Sequence, residues 1–242
     1  MKMFNNRTYR RHHGKKGLVS FNITVKETNL NIQAQTDLTD IAIKAVLNCR
    51  NYIETYIKLY PEFETSLVPL KQSETAPKIV REMIKAGKLT GTGPMASVAG
   101  IVAEQTGRAL LPYSREVIVE NGGDLFIKSD TETIFTVYAE NTPFSMTCGI
   151  LVEKQDTSYG ICTSSGTLGH SKSFGKADAV SVLSESCSLS DAAATALANK
   201  VTKAGDIQKT IDIGRVIPGI KGIVIIKGEN IGLWGNLKIV KL

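Results

Sequence analysis

Apolar and polar residues alternate with a two-residue period in several consecutive stretches of this chain, and stretches with helical spacing are gathered in groups between them. Residues 18–25 and 30–34 alternate around Glu27-Thr28-Asn29, the pattern of a β-hairpin. Helical spacing then runs over 37–60, carried by Ile41, Ala45, Ile53 and Ile57, and Pro61 ends it. A second helix is expected over 76–86, closed by Gly87. A third opens after Gly91-Thr92-Gly93, with Pro94 at the first position, where its missing N–H costs nothing. Strands follow at 117–119, 125–128, 134–139, 149–153 and 159–163. One more strand at 179–183 precedes helices at 191–203 and 207–213, and two final strands occupy 222–227 and 231–240. A doubly wound parallel sheet needs strands and helices in strict alternation, which this order lacks. The pattern predicts an α+β fold with a mostly antiparallel sheet and packed helices. No linker or low-complexity stretch divides it, so one domain is expected over 18–242, preceded by a basic arm over 1–17.

That arm accounts for the net charge of +6. Lys2, Arg7, Arg10, Arg11, Lys15 and Lys16 lie in it without any Asp or Glu, leaving 23 basic against 23 acidic residues in the body. A neutral body with no basic stripe interleaved with aromatics excludes a nucleic-acid partner. The arm itself reads as a solvated tail or as a device that steers an anionic ligand. No apolar run approaches the roughly 20 residues needed to cross a bilayer, so no membrane partner is expected. The polar start has no apolar signal core, and the expected location is cytoplasmic. Cys49, Cys148, Cys162 and Cys187 show no zinc-type spacing and read as reduced, mostly buried thiols. Cys162 stands out because Thr163-Ser164-Ser165-Gly166 follows it.

Four segments carry candidate chemistry, each with a local structural alternative. Gly93 and Pro94 open a helix whose amides are able to meet a phosphate, and Ala96, Ala99, Gly100 and Ala103 give it a face of small residues. That face admits either a ligand or another helix. Asn121-Gly122-Gly123-Asp124 is a hairpin turn first, yet its glycines also let a ligand reach the backbone. The stretch from Thr163, Ser164, Ser165 and Gly166 through His170, Ser171, Ser173 and Asp178 is too polar to bury unless something satisfies its hydroxyls. His170 is a candidate general base in that stretch or else a solvated loop histidine. Asp191 and Thr195 lie one helical turn apart, a hard-cation pair for Mg²⁺. The alternative there is a capping box over Ser188-Leu189-Ser190-Asp191.

In this order the four segments resemble the ApbE superfamily, best known for FAD:protein FMN transferases once called thiamine-biosynthesis lipoproteins. The chain is most similar to a small prokaryotic cytoplasmic family within it, through Tyr9-Arg10-Arg11, the Lys26-Glu27-Thr28-Asn29-Leu30 hairpin and Gly169-His170-Ser171. The resemblance spans nearly the whole chain. It implies Mg²⁺ on Asp191, Thr195 and the Ala96 carbonyl, and FAD or FMN against Gly122, Gly123, Asp124, Thr163, Ser165 and Gly166. The transferases carry a catalytic histidine before an Asp-Pro pair. Here His170 occupies that region and the Asp-Pro is absent. The implied function is therefore a Mg²⁺-dependent flavin- or nucleotide-binding protein, able to transfer an FMN or nucleotidyl group to a protein acceptor and to self-associate. The alternatives are a non-catalytic flavin or nucleotide carrier, or an accessory protein of anaerobic sulfur assimilation through homocysteine formation.

Overall fold

A computed structural model describes Lys15 and residues 17–71, 74–139, 142–165 and 175–242. Eight strands form one antiparallel sheet: β1 (Val19–Val25), β2 (Thr28–Ala34), β3 (Val117–Asn121), β4 (Asp124–Lys128), β7 (Tyr159–Ser164), β8 (Ala179–Ser184), β9 (Ile220–Lys227) and β10 (Asn230–Gly235), in that spatial order. Three more, β5 (Thr133–Thr136), β6 (Cys148–Val152) and β11 (Lys238–Lys241), form a second sheet in the order β11-β6-β5. The helices are α1 (Thr39–Leu59), α2 (Glu62–Thr65), α3 (Lys78–Thr90), α4 (Val98–Leu110), α5 (Cys187–Ala198) and α6 (Ile207–Gly214).

The period-two pattern decides which layer each residue joins. On β3, Val117 and Val119 face the helices while Ile118 faces the second sheet. On β9, Ile223 and Ile225 pack under α5 and α6, and Val224 and Ile226 point the other way. The large sheet is thus covered by helices on one face and by the small sheet on the other, so its strands are apolar on both sides. This is the α+β, mostly antiparallel, single-domain fold that the strand order predicts.

Several boundaries differ from the sequence reading for local reasons. The first hairpin turns at Lys26-Glu27, with Lys26 at φ +52°, and β2 already begins at Thr28. Helix α3 runs through Gly87 and ends at Gly91, which takes the left-handed conformation (φ +75°) that suits a helix end. Gly87 serves a different need: a Cβ there would lie 2.6 Å from the Thr92 carbonyl oxygen as the chain doubles back. Pro94 begins a 3₁₀ turn, Pro94–Ser97, before α4 starts at Val98. Helix α5 begins four residues earlier than Asp191, because Ser186 caps it by accepting from the Leu189 amide. The final stretch is two strands in different sheets. Gly235 (φ +90°), pressed against the Lys221 carbonyl, turns the chain from β10 towards β11.

Glycine also fixes how closely helices and sheet approach. A Cβ on Gly107 would overlap the Phe126 ring at 2.0 Å, and one on Gly160 would meet the Cys187 backbone at 2.6 Å. At Gly100 it would lie 2.4 Å from the Cys187 carbonyl oxygen and 2.8 Å from the Asp191 Cβ. In an open helix, Gly→Ala gains about 1 kcal/mol. At Gly100 the obstacle is backbone, which cannot swing aside, and overpacking of this kind costs about 1–3 kcal/mol. Gly100→Ala is therefore expected to destabilise the fold in urea unfolding. Gly205→Ala, where nothing lies within 4 Å of the added Cβ, should be neutral.

Candidate functional site

The site is built where α4 and α5 cross above β3, β4 and β7. An α-helix leaves its first four amides without partners, and both helices begin here. The Asp191 carboxylate, one turn into α5, accepts from the Gly100 amide of α4 at 2.8 Å, and the Ala99 amide adds a second donor. Asp191 therefore caps the neighbouring helix and not its own. The capping-box alternative fails because Ser186 occupies the cap of α5, with Ser188 hydrogen-bonded to Ser186 at 2.9 Å. Burial pushes the Asp191 carboxyl up to about 7, opposed by those two amides. The residue as a whole stays partly accessible while its carboxyl is buried.

The β3–β4 turn comes up beside it. Asn121 pairs with Asp124 across a two-residue loop, and Gly122 and Gly123 both take positive φ (+66° and +111°), as tight hairpin turns require. The Asn121 amide nitrogen donates to the Ala99 carbonyl at 3.0 Å, tying the turn to the start of α4. The Glu120 carboxylate accepts from the Gly123 amide at 3.1 Å. Asp124 stands opposite Cys162 in the register of β4 and β7 and is buried. Its carboxyl is raised well above the usual range by burial first and by the nearby Asp191 charge next, with Glu120 adding to the effect. The Cys162 thiol and the Thr163 amide pull it back down. Thr163 links further, its amide reaching the Gly123 carbonyl at 3.3 Å and its hydroxyl sharing a hydrogen with Ser181 at 2.8 Å.

The structure thus brings the start of α4, Asn121 to Asp124, Thr163 and Asp191 into one connected neighbourhood, with Ala96 in the 3₁₀ turn that precedes α4. Ser164 and Ser165 follow directly at the end of β7, half-buried. Thr195 lies on the next turn of α5, also half-buried. Gly93 and Pro94 are buried for another reason: the Ser66 carbonyl occupies the space where a Gly93 side chain would be, 1.8 Å from an ideal Cβ. The small-residue face of α4 receives α5, since Gly100 lies against Cys187 and Asp191. Asp178 is committed to the β9–β10 turn, accepting from the Gly228 amide at 2.7 Å and from Lys227 at 3.3 Å. Gly166, His170, Ser171 and Ser173 lie outside the described residues. Cys162 is wholly buried and its thiol is pushed well up by burial, which makes it a packing residue and not a nucleophile.

Sequence reasoning passed over Glu104. It is buried in α4 and accepts from the Cys187 amide at 2.8 Å and from Arg108 at 2.8 and 3.0 Å. The signal was present: a lone carboxylate four residues after Gly100, on the face that also carries Ala103.

Among the described residues, no group of three or more His, Cys, Asp or Glu side chains is arranged to hold a metal ion. A cation here would rest on a mixed oxygen set, and the donor chemistry fits one. Asp191 and Asp124 are two crowded carboxyls, and among the described residues no cation is a partner of either. The Ala96 carbonyl precedes Ser97, the cap whose carbonyl is the first acceptor within α4. Oxygen donors of this kind suit a hard cation such as Mg²⁺ or Ca²⁺.

Solved structures of ApbE flavin transferases share the fold. That from Vibrio cholerae aligns with a TM-score of 0.59 at 12% identity, covering 90% of this chain and 97% of its own. The apo flavinyl transferase ApbE from Pseudomonas stutzeri aligns at 0.55 and 14%, covering 90% and 94%. The protein is thus ApbE-like in architecture. A family model described as AbpE bacteria matches residues 10–217, and the chain belongs to that family. Relatives named UPF0280 protein include one from Methanococcus aeolicus, 40% identical over 221 residues and 89% of each chain. Another, from Methanosarcina acetivorans, is 38% identical over 216 residues, 88% of this chain and 85% of its own.

A carboxyl raised from 3.8 to about 7 binds its proton more tightly in the folded than in the unfolded chain. Stability of the metal-free protein should therefore fall as pH rises through that window. Asp191→Asn, which keeps an acceptor for the Gly100 amide, is expected to flatten the fall between pH 5 and 7 in urea titrations, a range inside the about 4 to about 7 window. An unchanged slope would show that the Asp191 carboxyl is not held up by its surroundings.

Proposed function

We propose that this protein binds a flavin or related nucleotide diphosphate together with Mg²⁺ and transfers an FMN or nucleotidyl group to a protein acceptor. The observation that carries the reading is Asp191, held by the amides of a second helix and facing Asp124, with Thr195 one turn further on. A structural cap alone gives no reason to set a second carboxyl beside it. Membership in the ApbE-like family and the fold shared with proteins named flavin transferases support the same direction.

In this reading Asp191, Thr195 and the Ala96 carbonyl hold the cation, which supplies charge neutralisation for the diphosphate. The Gly122-Gly123 turn, where no atom of the described residues lies within 4 Å of a Cβ on Gly122, lets a ligand approach the backbone. Asn121 keeps that turn against α4, and the Thr163–Ser181 hydroxyl pair fixes the adjoining end of β7. Ser164, Ser165, Gly166, Ser171 and Ser173 supply polar contacts to the nucleotide, and His170 acts as the general base that activates the acceptor. The sulfur-assimilation alternative, implied by the resemblance, would give Cys162 or Cys148 a role; burial disfavours thiol chemistry at Cys162, while Cys148 is half-buried.

Calorimetry with FAD, FMN and ADP, each with and without Mg²⁺, tests the reading. Binding should be strengthened by Mg²⁺ in the wild type, and Asp191→Ala should abolish that strengthening. His170→Ala should keep affinity and lose turnover by about 10²–10⁴-fold, the usual contribution of a general base. No binding of any of these nucleotides to folded protein would overturn the proposal.

A further inference from the structure

Glu104 and Asp191 form two rungs of one ladder between α4 and α5. Asp191 reaches from α5 to the Gly100 amide of α4, and Glu104 reaches from α4 to the Cys187 amide of α5. Gly100 and Glu104 are four residues apart, as are Cys187 and Asp191, so each rung sits one helical turn from the other. Each carboxylate satisfies an orphan amide at the start of the opposite helix, where the helix dipole also favours a negative charge. Between the rungs, Gly100 lets the backbones close to the point where a Cβ would collide with Cys187. Glu104 is fixed on its far side by Arg108, and the Ser186 hydroxyl lies 3.5 Å from its Oε2. The side chain is 6% exposed, so it is held as a buried strut and not as a surface charge.

The two rungs have different tasks. A carboxylate that ligates a cation must give electron density to the metal while keeping its place, and Asp191 alone cannot fix the separation of the helices that carry it and its amide donors. Among the described residues, the hydrogen bonds of Glu104 go to Arg108, Ser186 and Cys187 and not to Thr195 or the Ala96 backbone. We infer that Glu104 is the positioning residue for the cation site: by clamping the first turn of α5 to α4, it sets the Asp191 carboxylate at the distance at which it serves the cation and the α4 amides together. The inference rests on the reading of Asp191 as a Mg²⁺ ligand for its functional consequence, but its structural part stands without metal.

Two variants separate the clamp from general stability. Glu104→Met keeps length and burial and removes the acceptor, whereas Glu104→Gln keeps an acceptor for the Cys187 amide. In metal-free protein the Gly100 amide should exchange with solvent at least about tenfold faster in Glu104→Met than in the wild type, with β2 amides unchanged as a measure of global folding. Glu104→Gln should restore most of the protection. With ADP present, the gain in nucleotide affinity produced by Mg²⁺ should shrink by about 10–100-fold in Glu104→Met, the range seen when outer partners of metal ligands are removed, and by far less in Glu104→Gln. Folded Glu104→Met with wild-type Gly100 exchange would overturn the inference. Faster exchange with an undiminished Mg²⁺ gain would overturn its functional part. A wild type that shows no Mg²⁺ gain at all would instead refute the cation reading of the proposed function, leaving Gly100 exchange to decide the clamp.

Discussion

Everything at this site depends on two helices that start in one place with carboxylates exchanged between them. Helix starts concentrate unpaired amides, and burying them without partners costs about 1–3 kcal/mol for each group left unsatisfied. Here the partners come from the opposite helix, Asp191 for α4 and Glu104 for α5. The exchange needs the backbones to be close, which explains Gly100, and it needs α5 to lie low on the sheet, which explains Gly160 beneath Cys187. Ser184 and Ser190 complete the floor, sharing a hydrogen at 2.9 Å while Ser190 donates to the Gly160 carbonyl. The large sheet then has a fixed height at which the Asn121–Asp124 turn meets the crossing.

That meeting creates an electrostatic asymmetry. A buried carboxylate is stable when amides or cations surround it. Asp178 and Glu116 are satisfied in that manner, by Lys227 with Gly228 and by Lys15 with the Asp130 amide. Asp191 has the Gly100 and Ala99 amides and Asp124 has the Thr163 amide and the Cys162 thiol, yet burial outweighs these donors at both, and the Asp191 charge adds to the rise at Asp124. Among the described residues, Asp178 and Glu116 each have a lysine as partner, whereas Asp124 and Asp191 have each other's charge nearby. Clustered carboxyls with raised values recur at functional sites.

The fold was largely legible because its physical cause is local. Alternation on β2, β3 and β9 assigns faces, and the lack of helix–strand alternation separates α+β from a parallel sheet. The second sheet was hidden, since nothing in 231–240 tells a continuing strand from one that turns at Gly235 and changes sheet. At the site, the Asn121–Asp124 turn was readable as chemistry and as a turn, and it is built as a turn whose end residue faces Asp191. The capping-box alternative fell on Ser188 because Asp191 stands three residues after it, whereas Leu189 stands three after Ser186. Ser186 is the one whose hydroxyl accepts from the Leu189 amide, and Glu104, 83 positions away, takes the Cys187 amide beside it. Glu104 illustrates the general limit: a residue whose task lies in another helix carries no local pattern, apart from being a charge where the helix face is otherwise small.

The central claim is that Asp191 belongs to a cation site and not merely to a helix cap. Crystals grown with Mn²⁺ in place of Mg²⁺ and with ADP, measured for anomalous scattering, test it most directly. The account predicts one strong anomalous peak at coordination distance from Asp191, with Thr195 and the Ala96 carbonyl as neighbours and the Gly100 amide still bound to the second Asp191 oxygen. Well-ordered density for Asp191 on the Gly100 amide, with ADP bound elsewhere or absent and no anomalous peak at the α4–α5 crossing, would contradict it.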